Sequence, residues 1–183
     1  MLNRNKREGF RLSGVTAPRS IADHITIAAQ LAYIIGELEG LDGKTCATMV
    51  LFHDNGETRI TDHHKVATRY LDIKKGESRA FKEQMAQLPK AIAAKLLRLQ
   101  NQYDHQTTPE GIVARDADWL EAAIQAKIYS EQGHHIGQWI DNVKKALRTK
   151  SAQALLTEIQ RTDHFTTSWW QGLKKLTYQK LYH

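Results

Sequence analysis

"ATMVLFHDNGETRITDHH" occupies residues 47–64 and changes character halfway. Its first six residues are those of a buried helix. The rest is crowded with ionisable groups: His53 and Asp54 are adjacent, Glu57 follows three residues after Asp54, and Asp62 five after Glu57. Asn55-Gly56 breaks the helix between them. Buried carboxylates and imidazoles cost free energy unless they are paired or bound to a cation. A core helix that runs directly into such a block therefore marks a place to look for chemistry.

Outward from this stretch, the chain reads as helix after helix. From Ser20 to about Glu39, Ile21, Ile25, Ala28, Ala32, Ile35 and Leu38 recur in steps of three and four, the helical period. Ser20 is a plausible N-cap, and Asp23 adds an acid to the first turn. "GLDG" at 40–43 is a turn. A second helix is predicted from Lys44 to Asp54 with Ala47, Val50 and Leu51 inward. A third, capped by Thr61 or Asp62, is predicted to run to Leu71. "DIKKGES" reads as a loop, Ser78–Gln87 and Lys90–Gln102 as helices around Pro89, and Ile112–Gln132 as a long helix ended by Gly133. Two or three further helices complete the chain. The expectation is an all-α, single-domain helical bundle over residues 1–183, with the C-terminal helices at 134–183 packed on it. Trp169, Trp170 and "LKKLTYQKLY" read as an amphipathic helix for core packing or a homodimer contact.

Composition narrows the classes. A chain of 183 residues can bury a sizeable core without disulfides. Its one cysteine, Cys46, excludes an intrachain disulfide and suits a reducing, cytoplasmic setting. The basic start "MLNRNKREGFRLSG" has no apolar segment of a secretory signal. No stretch approaches the roughly 18 apolar residues of a membrane span. The net charge of +6 suits a phosphate-bearing ligand. No dense basic block with interleaved aromatics points to nucleic acid.

His24 lies on or beside the apolar stripe of the first helix, and Asp54 shares the inward face of the second. Asp116 and Asp118 in "ARDADWLEAAIQA" offer a further carboxylate, and periodicity alone does not choose between them. Neutral imidazoles and carboxylates are fit ligands for one divalent ion such as Mn, Fe, Co, Zn or Mg. Two histidines with a carboxylate leave positions open for water and substrate. His63 and His64 lack an additional acid at a helpful spacing, so a second ion is not expected.

"SIADH" at 20–24, "HDNGETRITD" at 53–62 and "ADWL" at 117–120 together resemble the HD-domain metal-dependent phosphohydrolases, and within them the 5′-deoxynucleotidase-like group. The resemblance covers residues 6–130. It implies His24, His53, Asp54 and Asp118 as metal ligands, and it selects Asp118 over Asp116. It implies Glu57 and Asp62 as catalytic acids acting on the attacking water and the leaving group. It also implies a nucleotide-holding segment in "NKREGFRLSGV", where Phe10 stands in a position that often carries tryptophan, with Arg7 and Arg11 beside it. Lys65 and Arg69, three and seven after Asp62, are candidate phosphate contacts. The implied activity is phosphate removal from nucleoside, above all deoxyribonucleoside, 5′-monophosphates. The alternatives are hydrolysis of an alarmone or cyclic dinucleotide, or metal and nucleotide binding without turnover.

Overall fold

The computed structural model of the chain describes residues 1–171. Helix α1 spans Glu8–Leu12, α2 Ile21–Leu38, α3 Gly43–Phe52, α4 Glu57–Ile60, α5 Ile73–Met85, α6 Lys90–His105, α7 Pro109–Glu131, α8 Gln138–Ala146, α9 Lys150–Arg161 and α10 Phe165–Gln171. Among the described residues no strand forms, only an isolated bridge between Lys6 and Ser20. None of the described helices is long and apolar enough to cross a membrane. The all-α expectation holds. The segment expected as a C-terminal amphipathic helix lies, beyond residue 171, outside the described residues.

Helix α2 begins in a complete capping box. The Ser20 side chain accepts from the Asp23 amide, and the Asp23 carboxylate accepts from the Ser20 amide. Its buried stripe holds Ile21, His24, Ile25, Ala28, Ala29, Ala32, Ile35 and Gly36. His24 thus sits within the apolar face. Leu38, expected on that face, is 62% exposed.

Two glycines set the α2–α3 hairpin. A Cβ on Gly36 would lie 2.8 Å from the Gly43 Cα, and one on Gly43 would lie 2.6 Å from the Tyr33 carbonyl oxygen. The helix backbones touch there, and any side chain would force them apart. From that contact, α2 extends back about 18 Å to His24 and α3 extends about 15 Å to His53 at 1.5 Å per residue. The hairpin register therefore brings the two imidazoles level, with ring centroids 5.7 Å apart. The buried face of α3 is Cys46, Met49 and Val50. Leu51, expected inward, is 48% exposed.

Helix α7 runs through the centre and packs on α2, α3, α6, α8 and α9. Ala114, Ala117, Ala123 and Ala126 are fully buried along it, small enough for these helices to approach closely. It starts at Pro109, earlier than expected, since Thr108 accepts from the Gly111 amide and proline fits the first helical position.

Two local expectations fail for tertiary reasons. No helix spans Thr61 to Leu71; only one 3-10 turn forms, at Ala67–Arg69. Asp62 does not cap its own helix because its carboxylate accepts from the Glu8 amide at 2.6 Å. Conversely, "DIKKGES" is not a loop. Asp72 caps α5 by accepting from the Lys75 amide, and the α5 backbone at Glu77 lies against Gly56, where a Cβ would come within 2.7 Å.

Candidate active site

His24 from α2, His53 from the end of α3 and Asp118 from the middle of α7 converge. One ligand atom from each lies within 4.8 Å of the other two. His24 Nε2 is 3.1 Å from Asp118 Oδ1 and 3.9 Å from Asp54 Oδ2. His53 Nε2 is 3.1 Å from Asp54 Oδ1 and 3.7 Å from Asp118 Oδ1. Three helices thus place two imidazoles and two carboxylates around one point.

Each histidine is oriented from behind. His24 Nδ1 hydrogen-bonds Glu121, and His53 Nδ1 donates to the Val50 carbonyl at 2.7 Å. Both Nδ1 atoms are thereby engaged, and both Nε2 atoms face the centre. His24 Nε2 is buried with no hydrogen-bond partner that meets ordinary geometry. Outer hydrogen bonds of this kind select the tautomer that offers Nε2 to a metal. Asp118 is held similarly. Tyr103 donates to its Oδ2 at 2.8 Å, and Arg115, stacked 4.0 Å over the Tyr103 ring, has a guanidinium nitrogen 3.5 Å from the same oxygen.

The electrostatics ask for positive charge at the centre. Burial and Arg7 push the His24 pKa down, yet the nearby Asp118 carboxylate and the hydrogen bond to Glu121 prevail and raise it. Burial likewise opposes charge on His53, but Asp54 and Asp118 raise its pKa well above the ordinary value. Against burial, the hydrogen bonds to His24 and His53 hold Asp118 well below the carboxylate range. Protons on the imidazoles balance the carboxylates, and a divalent cation can replace them. The donor set, the turned-in Nε2 atoms and the charge all fit one such ion.

Glu57, at the first position of α4, is 5% exposed. Burial, then the neighbouring Asp54 and Asp62 charges, push its pKa up to about 10. Its Oε2 is buried without a hydrogen-bond partner. Asp62 lines a cavity of about 500 Å³ that also includes Arg7 and Asp118. Arg7 lies 3.4 Å from Asp54 Oδ2; burial opposes its charge, but Asp54 outweighs this and keeps it cationic.

The remaining expectations fare unevenly. Phe10 borders the cavity but is 1% exposed, its ring stacked 4.4 Å from Trp139 and edge-on to Tyr129. Its faces are taken up by the core, and the aromatics that wall the cavity more openly are Trp119 and Trp139. Arg11 is largely exposed and paired with Glu8. Lys65 lines the cavity, whereas Arg69, exposed on the 3-10 turn, lines neither it nor a second cavity nearby. Asp116 is fully buried away from the centre. It accepts from the Arg148 and Thr149 amides and the Thr149 hydroxyl, tying down the start of α9.

Sequence reasoning missed Glu121, Tyr103 and Trp139. Glu121 had a signal, since it follows Asp118 by three residues on one helix face. Tyr103 and Trp139 had none, because their neighbours come from distant segments.

Known proteins are similar to this chain in sequence and fold. The human 5′-deoxynucleotidase HDDC2 is 27% identical over 141 residues, covering 76% of this chain and 69% of the human protein. Its Dictyostelium discoideum namesake is 29% identical over 141 residues, covering 72% of this chain and 73% of that protein. A crystal structure of a Pyrococcus horikoshii protein superposes with a TM-score of 0.74 at 27% identity, covering 87% of this chain and 93% of that one. The HD-domain family model matches residues 1–160, which include every residue of the centre. Matched over that length, the chain belongs to the HD-domain family.

Proposed function

We propose that the chain is a metal-dependent phosphohydrolase that removes the 5′-phosphate from nucleoside monophosphates, with deoxyribonucleotides as preferred substrates. The observation that carries this reading is the convergence of His24 Nε2, His53 Nε2 and Asp118 Oδ1 beside a cavity that also contains Arg7 and Asp62. Relatives named 5′-deoxynucleotidase support the choice of substrate.

His24, His53, Asp54 and Asp118 would hold the divalent ion. When bound, such an ion stabilises charge on phosphoryl oxygens and acidifies water. The chain's own groups do the rest. Arg7, cationic and beside Asp54, pairs with the substrate phosphate. Glu57 orients the attacking water and takes a proton at its unpartnered Oε2. With a divalent ion held by Asp54 and its neighbours, the like charge that keeps Glu57 protonated is offset, leaving an ionised carboxylate able to take the proton. Asp62, fixed by the Glu8 amide, serves the leaving 5′-oxygen or the sugar. A binder without turnover would need neither acid.

The test is phosphate release from a panel of nucleoside 5′-monophosphates after chelation and reloading with Mn, Co, Mg or Zn. Release that requires the metal is expected. In Glu57→Gln, turnover is expected to fall by at least about a hundredfold with metal content unchanged. No release from any pair of nucleotide and metal would refute the reading in favour of a non-catalytic binder.

A further inference from the structure

The cavity that reaches Asp118 has a neighbour across Asp62. Beyond Asp62, His63 and His64 lies a second cavity of about 400 Å³, and these three residues wall both. Among the described residues, Arg4 and Lys6 give the second cavity its unpaired positive charge. Its acids are already engaged: Glu8 pairs with Arg11 at 2.8 Å, and Asp62 accepts from the Glu8 amide. Among the described residues, Arg4 and Lys6 enter no ion pair.

These cations are carried on a segment fixed to the site. The Asn5 side chain donates to the Glu57 carbonyl at 2.7 Å, the Ile21 amide donates to the Asn5 carbonyl, and the Arg7 amide donates to the Arg19 carbonyl. The histidines are set too. His63 Nε2 donates to the Ile60 carbonyl, and the Ala67 amide donates to His64 Nδ1. The hydrogen of neutral His64 is therefore on Nε2, a donor left for a ligand.

We infer that the basic cavity binds a second phosphate of the substrate, so that nucleoside 3′,5′-bisphosphates are better substrates than the monophosphates. The inference rests on the nucleotidase reading. With the 5′-phosphate at the His24–His53–Asp118 centre and the base against the tryptophan wall, the sugar would lie beside Asp62, which lines both cavities. A 3′-phosphate then passes Asp62 towards Arg4, Lys6 and His64. The reaction balances with water alone: the 5′ P–O bond is cleaved, and inorganic phosphate and a nucleoside 3′-phosphate are released.

The experiment compares kcat/KM for 2′-deoxyadenosine 5′-monophosphate and 2′-deoxyadenosine 3′,5′-bisphosphate at low salt, with products separated by chromatography. It uses the metal-loaded wild-type chain and the Arg4→Ala/Lys6→Ala variant. The bisphosphate is expected to be favoured about tenfold through KM, the scale two exposed ion pairs supply. That advantage should vanish in the variant and shrink with salt, as screening of exposed charges requires, with turnover of the monophosphate unchanged. A bisphosphate no better than the monophosphate, or a variant that loses both substrates alike, would overturn the inference while leaving the nucleotidase reading intact. Inactivity of the wild type on both would instead sink that reading.

Discussion

Thr61 holds a backbone conformation that threonine should resist, which allows a sharp prediction. Its φ is 65° and its ψ 168°. This region is essentially reserved for glycine and costs other residues about 1–3 kcal/mol. Its β-branched side chain makes the fit worse. The side chain is exposed and among the described residues has no hydrogen-bond partner, so truncation removes little else. Thr61→Gly relieves the strain but gives the unfolded chain more freedom, which opposes it by about 0.4–1 kcal/mol. The net effect is a stabilisation of about 1 kcal/mol, or roughly 2–4 °C in Tm for a chain of this size. Thermal unfolding of the metal-free protein, followed by far-ultraviolet circular dichroism, reads it directly. Thr61→Ala serves as the control, because alanine keeps the positive φ and should gain far less. Turnover should stay within about threefold of wild type, since Asp62 is held by the Glu8 amide rather than by the strain itself. A Thr61→Gly protein no more stable than Thr61→Ala would refute the reasoning.

Two further substitutions separate structure from chemistry around the two aspartates of α7. Asp116→Ala leaves the Arg148 and Thr149 amides without their acceptor and should lower stability by about 3 kcal/mol, measured by urea unfolding, while the metal content of the folded protein persists. Loss of metal without loss of stability would reverse the assigned roles of Asp116 and Asp118. Tyr103→Phe removes the hydroxyl that orients Asp118 and should weaken metal affinity about 10- to 100-fold by competition with a chelator, with the fold kept. Unchanged affinity would mean that Arg115 suffices to hold the carboxylate.

Much of the site was legible because its signals are local. The cap at Ser20, the helical stripe through His24, the His53–Asp54 pair at a helix end and the Asn-Gly break are all written in short windows. So was the all-α class, since period and caps act within a few residues. Near Asp62 local reading failed. The sequence offers Asp62 as a helix cap, but the folded chain brings the Glu8 amide from 54 residues away and takes that carboxylate for α1. The same reason governs Phe10, which looks like a stacking residue until Trp139 and Tyr129 close on it.

The choice between Asp116 and Asp118 marks the boundary. On the helix they are two residues apart, about 200° round the axis. Periodicity places them on different faces without saying which face meets the histidines. By itself the sequence determined which residue types could make a metal centre and on which elements they ride. The family resemblance pointed to Asp118, but only the tertiary structure supplies the physical reason: α7 turns Asp118 towards α2 and α3 and Asp116 towards the start of α9. A hydrophobic pattern states that a helix has an inside, whereas the packing of three helices on one another determines which inside each residue shares.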